Sequence, residues 1–315
     1  MLWVLLPVVA AIFYGIGSYV ENHVVDNEFQ RKKAGAFILS RIPIFCISLI
    51  VLLLIFGRSV FMVTPMDALG LMLAGVINVI GSVFYLKALR EGDTVDITIF
   101  SQVGPLISLG LGVVMLNEKI NSSQSLGFLF IMAGACVVAL MSDGKKKHTP
   151  DFKVAGITLI SIFFSMLSDV VYVYFLNRGG TTNLVLFGQT FFFFQIGSLV
   201  AMIVAAVLFE GWRSALGKVF IHGKKKKVNY GLAMIENITW GIADSLAKLG
   251  LILTPVVALF SAVGRASGLF VSLFITFAVS KMFPRLIKIK KMSKQAVFRY
   301  MLSAILIVVG IIVMV

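Results

Sequence analysis

Long apolar runs separated by short polar stretches make up nearly the whole chain. Ten runs can be drawn, over residues 2–20, 34–56, 66–89, 94–116, 123–141, 153–176, 184–209, 230–250, 255–280 and 296–315. Each is close to the roughly 20 residues a helix needs to cross a bilayer, and none shows the alternating ten-residue pattern of a barrel strand. Lipid offers no water to backbone amides, so uninterrupted apolar runs of this length read as spanning helices. Several breaks carry ordinary stop signals: Gly57, Asp143-Gly144, Gly179-Gly180 and Gly211. No stretch is left over for a soluble domain. The expected fold class is therefore an all-α integral membrane protein with ten transmembrane helices.

Composition supports that reading. Hydrophobic residues make up 59% of the chain and charged residues 13%, and the mean hydropathy is +1.00. A soluble domain has about 25% charged residues. The formal charge of +14 does not point to nucleic acid, because the basic residues sit in loops of one parity. Counted with their flanking turns, the loops after runs 1, 3, 5, 7 and 9 hold 22 of the 28 Lys and Arg, and the alternate loops hold 4. The positive-inside rule then places both termini outside and the tetralysine Lys224–Lys227 on the cytoplasmic side, beside anionic headgroups. A bacterial plasma membrane is the expected location. The first run lacks a basic leader and a small-residue cleavage site, so it is expected to be a retained helix. Cys46 and Cys136 lie inside apolar runs and form no disulfide or zinc framework.

The chain also repeats itself. Ile99-Phe100-Ser101-Gln102-Val103-Gly104 returns 160 residues later as Leu259-Phe260-Ser261-Ala262-Val263-Gly264. Both copies fall in the fourth run of a five-run half. Five is odd, so the halves, residues 1–148 and 149–315, are expected to be inverted repeats with a substrate site where they meet.

Residues Phe84–Leu89, Pro105, Leu116-Asn117-Glu118-Lys119-Ile120, Gln124, Gly127 and Gly134 resemble the EamA repeat of the drug/metabolite transporter superfamily. That pattern has an Ala-Leu helix end, a Pro in span four, a short-loop Glu, then Gln-x-x-Gly and a later Gly. In the second half Arg265 stands where Pro105 would align, and Ala278 where Glu118 would. The resemblance implies two inverted five-helix halves, a central cavity and transport of small metabolites. It also implies cytoplasmic termini, against the charge count.

Ionisable side chains at bilayer depth are the candidate chemistry, since each costs about 2.5–3.5 kcal/mol at a helix centre and is kept for pairing, a watery cavity or a substrate. Glu236, Trp240, Asp244 and Lys248 recur every four residues along run 8 and drift across one face. Asp244 and Lys248 have the favourable order for an i, i+4 ion pair. Glu236 has no such local partner. Arg265 lies at least ten residues from either end of run 9, too deep to snorkel, and is expected to face a cavity or pair with Asp169, Asp244 or Glu236. Gly264 and Gly268 flank it at the spacing that lets helices approach closely. Asp169 and Tyr172 (run 6), Tyr14 (run 1), Asn78 (run 3) and Gln102 (run 4) extend the polar stripe. Arg41, two turns from an inner end, could snorkel or join the cavity charges, and Phe191–Phe194 are expected to face lipid or pack.

No catalytic constellation, metal-ligand spacing or phosphate-cradling loop is visible, so neither enzyme nor cofactor is expected. The expected function is a secondary transporter or exchanger working by alternating access. The mixture of Asp169, Glu236 and Asp244 with Arg265 and Lys248 suits a zwitterionic, amino-acid-like solute. Alternatives are an anionic phosphate-bearing solute held by Arg265 and Lys248, or a lipid-carrier flippase, which needs a lateral opening to the bilayer. Expected partners are the small-molecule substrate, membrane lipid and protons, with the protein a monomer or homodimer. In the proton-coupled scheme Arg265 holds the substrate carboxylate. Glu236, the acid farther from it, exchanges the proton.

Overall fold

A computed structural model describes residues 2–27, 38–91, 97, 100–139, 152–178, 184–208, 230–254, 256–282 and 294–314. All regular structure among them is helical. The helices are α1 (Leu2–Asn27), α2 (Ile42–Phe56), α3 (Pro65–Glu91), α4 (Gly104–Leu116), α5 (Ser122–Ala139), α6 (Phe152–Arg178), α7 (Leu184–Leu208), α8 (Tyr230–Leu253), α9 (Val257–Met282) and α10 (Lys294–Met314), with a 3-10 turn over Gly57–Phe61. Each expected apolar run holds one of the ten. Four segments are long and apolar enough to cross a membrane: Ile42–Phe61, Pro65–Leu89, Phe152–Arg178 and Leu184–Leu208. The loops that hold Lys224–Lys227 and most of the other basic residues behind the orientation lie outside the described residues.

Local chemistry sets the helix ends. Thr64 starts α3: its Oγ1 accepts from the Asp67 amide at 3.2 Å and donates to Asp67 Oδ2 at 2.6 Å. Asn121 and Gln124 open α5 as a reciprocal capping box. The Gln124 amide donates to Asn121 Oδ1 at 2.7 Å, and the Asn121 amide donates to Gln124 Oε1 at 3.1 Å. Two apolar runs are shortened by proline. Pro43 and Pro105 stand in the first turns of α2 and α4, where a missing N–H is tolerated. The chain ahead of each makes a turn, at Ser40-Arg41 and at Gln102-Val103.

The helices pack in a regular order. α1 runs along α8 and α9, while α6 runs along α3 and α4. α5 packs on α10, α4 touches α9, and α2 touches α7. Adding five to each helix of the first half and subtracting five in the second turns most of these pairs into one another. Small residues and hydroxyls make the close contacts. Ser161 donates to the Gly81 carbonyl at 2.8 Å and Ser168 to the Ala74 carbonyl at 2.9 Å, joining α6 to α3. Ser303 donates to the Gly134 carbonyl at 2.6 Å, joining α10 to α5. At α3–α7 the backbones themselves meet: a Cβ on Gly197 would lie 2.6 Å from the Met72 carbonyl carbon, and one on Gly75 would lie 2.7 Å from the Ser198 amide.

An apolar cluster fills the end of the bundle where α6 and α8 finish and α7 and α9 begin. It contains Tyr172, Leu176, Phe187, Phe191, Phe194, Leu251, Val257 and Phe260. Phe191, Phe192 and Phe194 are buried here, so this run packs inside the protein rather than on lipid. The close-approach reading of Gly264 and Gly268 is corrected: among the described residues a Cβ on Gly264 makes only ordinary contact with Pro7, and one on Gly268 meets nothing within 4 Å.

Candidate functional site

The other half of the bundle encloses a cavity of about 740 Å³, walled by α1, α2, α3, α6, α7, α8 and α9 and by Ser101 ahead of α4. Its volume falls in the range of ligand pockets, about 300–1,000 Å³. Seven of the ten candidate residues line it: Tyr14, Asn78, Asp169, Trp240, Asp244, Lys248 and Arg265. Three do not. Glu236 is fully buried behind the wall. Tyr172 belongs to the apolar end, with its hydroxyl 2.8 Å from Thr190 Oγ1. Gln102 is buried and donates to Ser101 Oγ at 3.2 Å.

The ionisable groups are paired across helices rather than along α8. Lys248 Nζ lies 2.6 Å from Asp169 Oδ1 on α6, so the expected Asp244–Lys248 pair is replaced by an interhelical one. Lys248 is 3% exposed, and its ammonium also sits 4.3 Å from the Phe194 ring centroid and 5.0 Å from that of Tyr172. Four residues along a helix bring side chains near each other, but a partner on a facing helix meets the buried Nζ head-on and shares its desolvation.

Glu236 does have a partner, 195 residues away. Arg41 Nη2 lies 2.7 Å from Glu236 Oε1. Arg41 therefore turns inward instead of snorkelling, because the turn ahead of Pro43 holds its Cα at the cavity wall and a buried carboxylate waits there. Its guanidinium lies over the Trp240 ring, 4.9 Å from the centroid, and Trp240 meets Tyr14 edge-on at 4.7 Å. Asn237 Nδ2 donates to the Ser40 carbonyl at 3.0 Å, satisfying a backbone group in that turn.

Arg265 plays the same part at the second break. Pro105 has no N–H to give to the carbonyl four residues back, which is Ser101 O. Arg265 Nη1 donates to that oxygen at 3.0 Å. The guanidinium lies flat against Gly104: a Cβ there would be 2.6 Å from Arg265 Cζ and 3.0 Å from Nη2. Gly104 is thus required by a close approach. Arg265 reaches the cavity as expected, but among the described residues it has no carboxylate partner within ion-pair distance.

Beside these two ion pairs, Arg265 and Asp244 of the cavity wall have no ion-pair partner within 4.0 Å among the described residues, although the Lys248 charge also acts on Asp244. Sequence reasoning did not foresee the Arg41–Glu236 pair and missed Gln195, which lines the cavity from α7 with a buried Oε1 that has no partner among the described residues. The signal for Gln195 was a single amide at the end of a phenylalanine run. Beyond the membrane-spanning segments, Glu118 Oε1 accepts from the Val257 amide at 2.8 Å, capping α9 from the α4–α5 loop. Burial pushes its carboxyl above the ordinary range, and the Val257 bond acts against that.

Comparison with known proteins finds a family match over the first part of the chain. Residues 1–140 match the EamA-like transporter family. An uncharacterized protein of Methanocaldococcus jannaschii is 23% identical over 137 residues, 44% of this chain and 96% of that protein. An uncharacterized transporter of Clostridium kluyveri is 23% identical over 141 residues, 44% of this chain and 43% of its own length. A solved crystal structure shares the fold with a TM-score of 0.66 at 15% identity, covering 99% of this chain and 95% of that one.

Proposed function

We propose a substrate class and a working cycle for what is a multi-pass membrane transporter, the chain belonging over residues 1–140 to the EamA-like transporter family of the drug/metabolite transporter superfamily. The substrate is a small zwitterion, with a carboxylate or equivalent anion on Arg265 and an ammonium on Asp244. The observation that carries this reading is the charge balance of the cavity. Arg41 and Lys248 are already neutralised by Glu236 and Asp169, which leaves one charge of each sign for a ligand. An anionic phosphate-bearing solute would leave Asp244 facing it. Tyr14 and Trp240 supply an apolar wall beside the clamp, and Asn78 and Gln195 supply neutral polar groups.

The cycle is alternating access by two inverted five-helix halves. The packing order, most of which survives exchange of helix n with helix n+5, supports that plan. So does the contact of Arg265 with Gly104 and with the carbonyl that Pro105 frees, since residues aligned across the halves meet near an axis relating them. Phe260 of the apolar cluster also lines the cavity. Proton exchange belongs to Asp244, the cavity acid without a fixed partner, in place of Glu236, which Arg41 holds.

Uptake by the purified protein in liposomes, screened across amino acids, simple amines, simple carboxylates and sugar phosphates, tests the reading. Amino acids are expected to compete with one another and to outcompete amines and carboxylates of equal size. Preferential transport of sugar phosphates would overturn it.

A further inference from the structure

The exchange of helix n with helix n+5 pairs the α3–α7 seam with the α8–α2 seam, and the two differ. α3 and α7 are closed backbone to backbone through Gly75 and Gly197. Among the described residues α2 and α8 barely touch: a Cβ on Gly241 would find only Ile44 Cγ1, at an ordinary 3.4 Å. Both helices contribute cavity wall at this seam. Four of those wall residues, Ile47 and Val51 on α2 and Ile238 and Ile242 on α8, are also 46%, 42%, 41% and 40% exposed. On α8 the exposed surface continues away from the cavity through Met234 and Ile235. On α2 it continues through Ile50 and Leu54. A rim that is aliphatic on both sides, in a helix pair of a membrane transporter, faces acyl chains.

We propose that the α2–α8 seam is a lateral portal and that the transported zwitterion carries an alkyl chain. The headgroup sits on Arg265 and Asp244 while the chain leaves through the seam between Ile47, Val51, Ile238 and Ile242 into the bilayer. The inference rests on the zwitterion reading for the headgroup. The chain follows from the aliphatic rim alone. Each methylene kept in the seam and the lipid is spared exposure to water. A headgroup held at the polar clamp with its chain in lipid crosses without the chain being desolvated from the membrane, which a cavity closed on all sides would demand. Ile47 and Ile242 take no part in the polar clamp, so narrowing the seam separates the two halves of the proposal.

The test compares alanine with 2-aminododecanoate, which carry the same headgroup without and with a long chain. Initial rates are measured in proteoliposomes for the wild type, Ile47→Trp and Ile242→Trp. The variants are expected to lower the long-chain rate at least about tenfold while the alanine rate changes less than about twofold. If both rates fall together, or if the wild type moves alanine and not 2-aminododecanoate, the portal is overturned and the zwitterion reading stands. If the wild type moves neither, the zwitterion reading fails, and the portal is judged by a second measurement that needs no substrate. With Trp3→Phe and Trp212→Phe in place, Trp240 in the cavity is the remaining tryptophan. In bilayers of dibrominated phosphatidylcholine its fluorescence is expected to be quenched, and Ile47→Phe with Ile242→Phe is expected to protect it. Equal quenching with and without the narrowing substitutions overturns the portal.

Discussion

Removing one partner of the Arg41–Glu236 pair gives a magnitude that the geometry fixes in advance. The Glu236 side chain is fully buried and the Arg41 side chain 14% exposed, with 2.7 Å between them. Glu236 Oε2 has no partner among the described residues, so Arg41 supplies nearly all the compensation for a buried carboxylate. Breaking such a pair by deleting one side costs about 3–5 kcal/mol, whereas replacing both sides with apolar groups of similar size is close to neutral. Arg41→Met is therefore expected to destabilise by about 3–5 kcal/mol. Glu236→Gln keeps an acceptor for the guanidinium and the Trp240 face, worth about 0.5–2 kcal/mol, and is expected to cost less, about 1–3 kcal/mol. Arg41→Met with Glu236→Leu should recover most of the larger loss, a coupling of at least about 2 kcal/mol. Reversible unfolding in bicelles, followed for the wild type, each single variant and the pair, measures the cycle. Additive losses, or an Arg41→Met protein as stable as the wild type, would refute the claim that this pair is scaffold rather than a site for substrate.

Three further expectations follow from single contacts. Gly104→Ala pushes its Cβ into the Arg265 guanidinium and should weaken zwitterion binding about tenfold or more through misplacement of the charge, with the melting temperature nearly unchanged, as read by calorimetric titration and by melting. For Glu118 the folded state holds the proton more tightly than the unfolded chain, because burial raises its carboxyl. Its contribution is therefore most favourable below the ordinary carboxylate range and is lost as pH rises through the raised folded-state value. Glu118→Gln, which keeps an acceptor for the Val257 amide, should match or exceed wild-type stability at neutral pH and flatten that part of a melting-versus-pH series. Phe194→Ala empties a fully buried position beside the Lys248 ammonium and should cost about 3–5 kcal/mol, checked by the same unfolding measurement.

Much of the fold was legible because helix length and hydropathy are local properties. The ten runs and the ten helices agree to within a few residues over most ends. The largest differences lie where proline intervenes: residues 40–41 and 102–103 turn ahead of Pro43 and Pro105, which a hydropathy pattern does not register. The depth of Arg265 and the polar face of α8 were legible for the same local reason. Partner choice was not. Lys248 has an acid four residues earlier and bonds instead to Asp169, 79 residues away, and Arg41 bonds to Glu236, 195 residues away. Helical spacing reports which groups share a face, whereas the desolvation of a buried charge is relieved by whatever facing helix presents. The Ser101–Arg265 contact was readable in principle: a proline inside a spanning run frees the carbonyl four residues back, and a membrane obliges some donor to meet it.

The central claim is that Arg265 and Asp244 hold the two ends of a zwitterion, and competition binding to the purified protein in nanodiscs tests it most directly. The ligands are an amino acid, the matching amine and the matching carboxylate, measured on the wild type, Arg265→Gln and Asp244→Asn. The account predicts that the wild type prefers the amino acid to either half. It predicts that Arg265→Gln lowers amino-acid affinity at least about 100-fold, the order expected when a buried charge contact is lost, while leaving the amine little changed. Asp244→Asn should do the reverse, sparing the carboxylate. Folded variants that bind all three ligands as the wild type does would contradict the account.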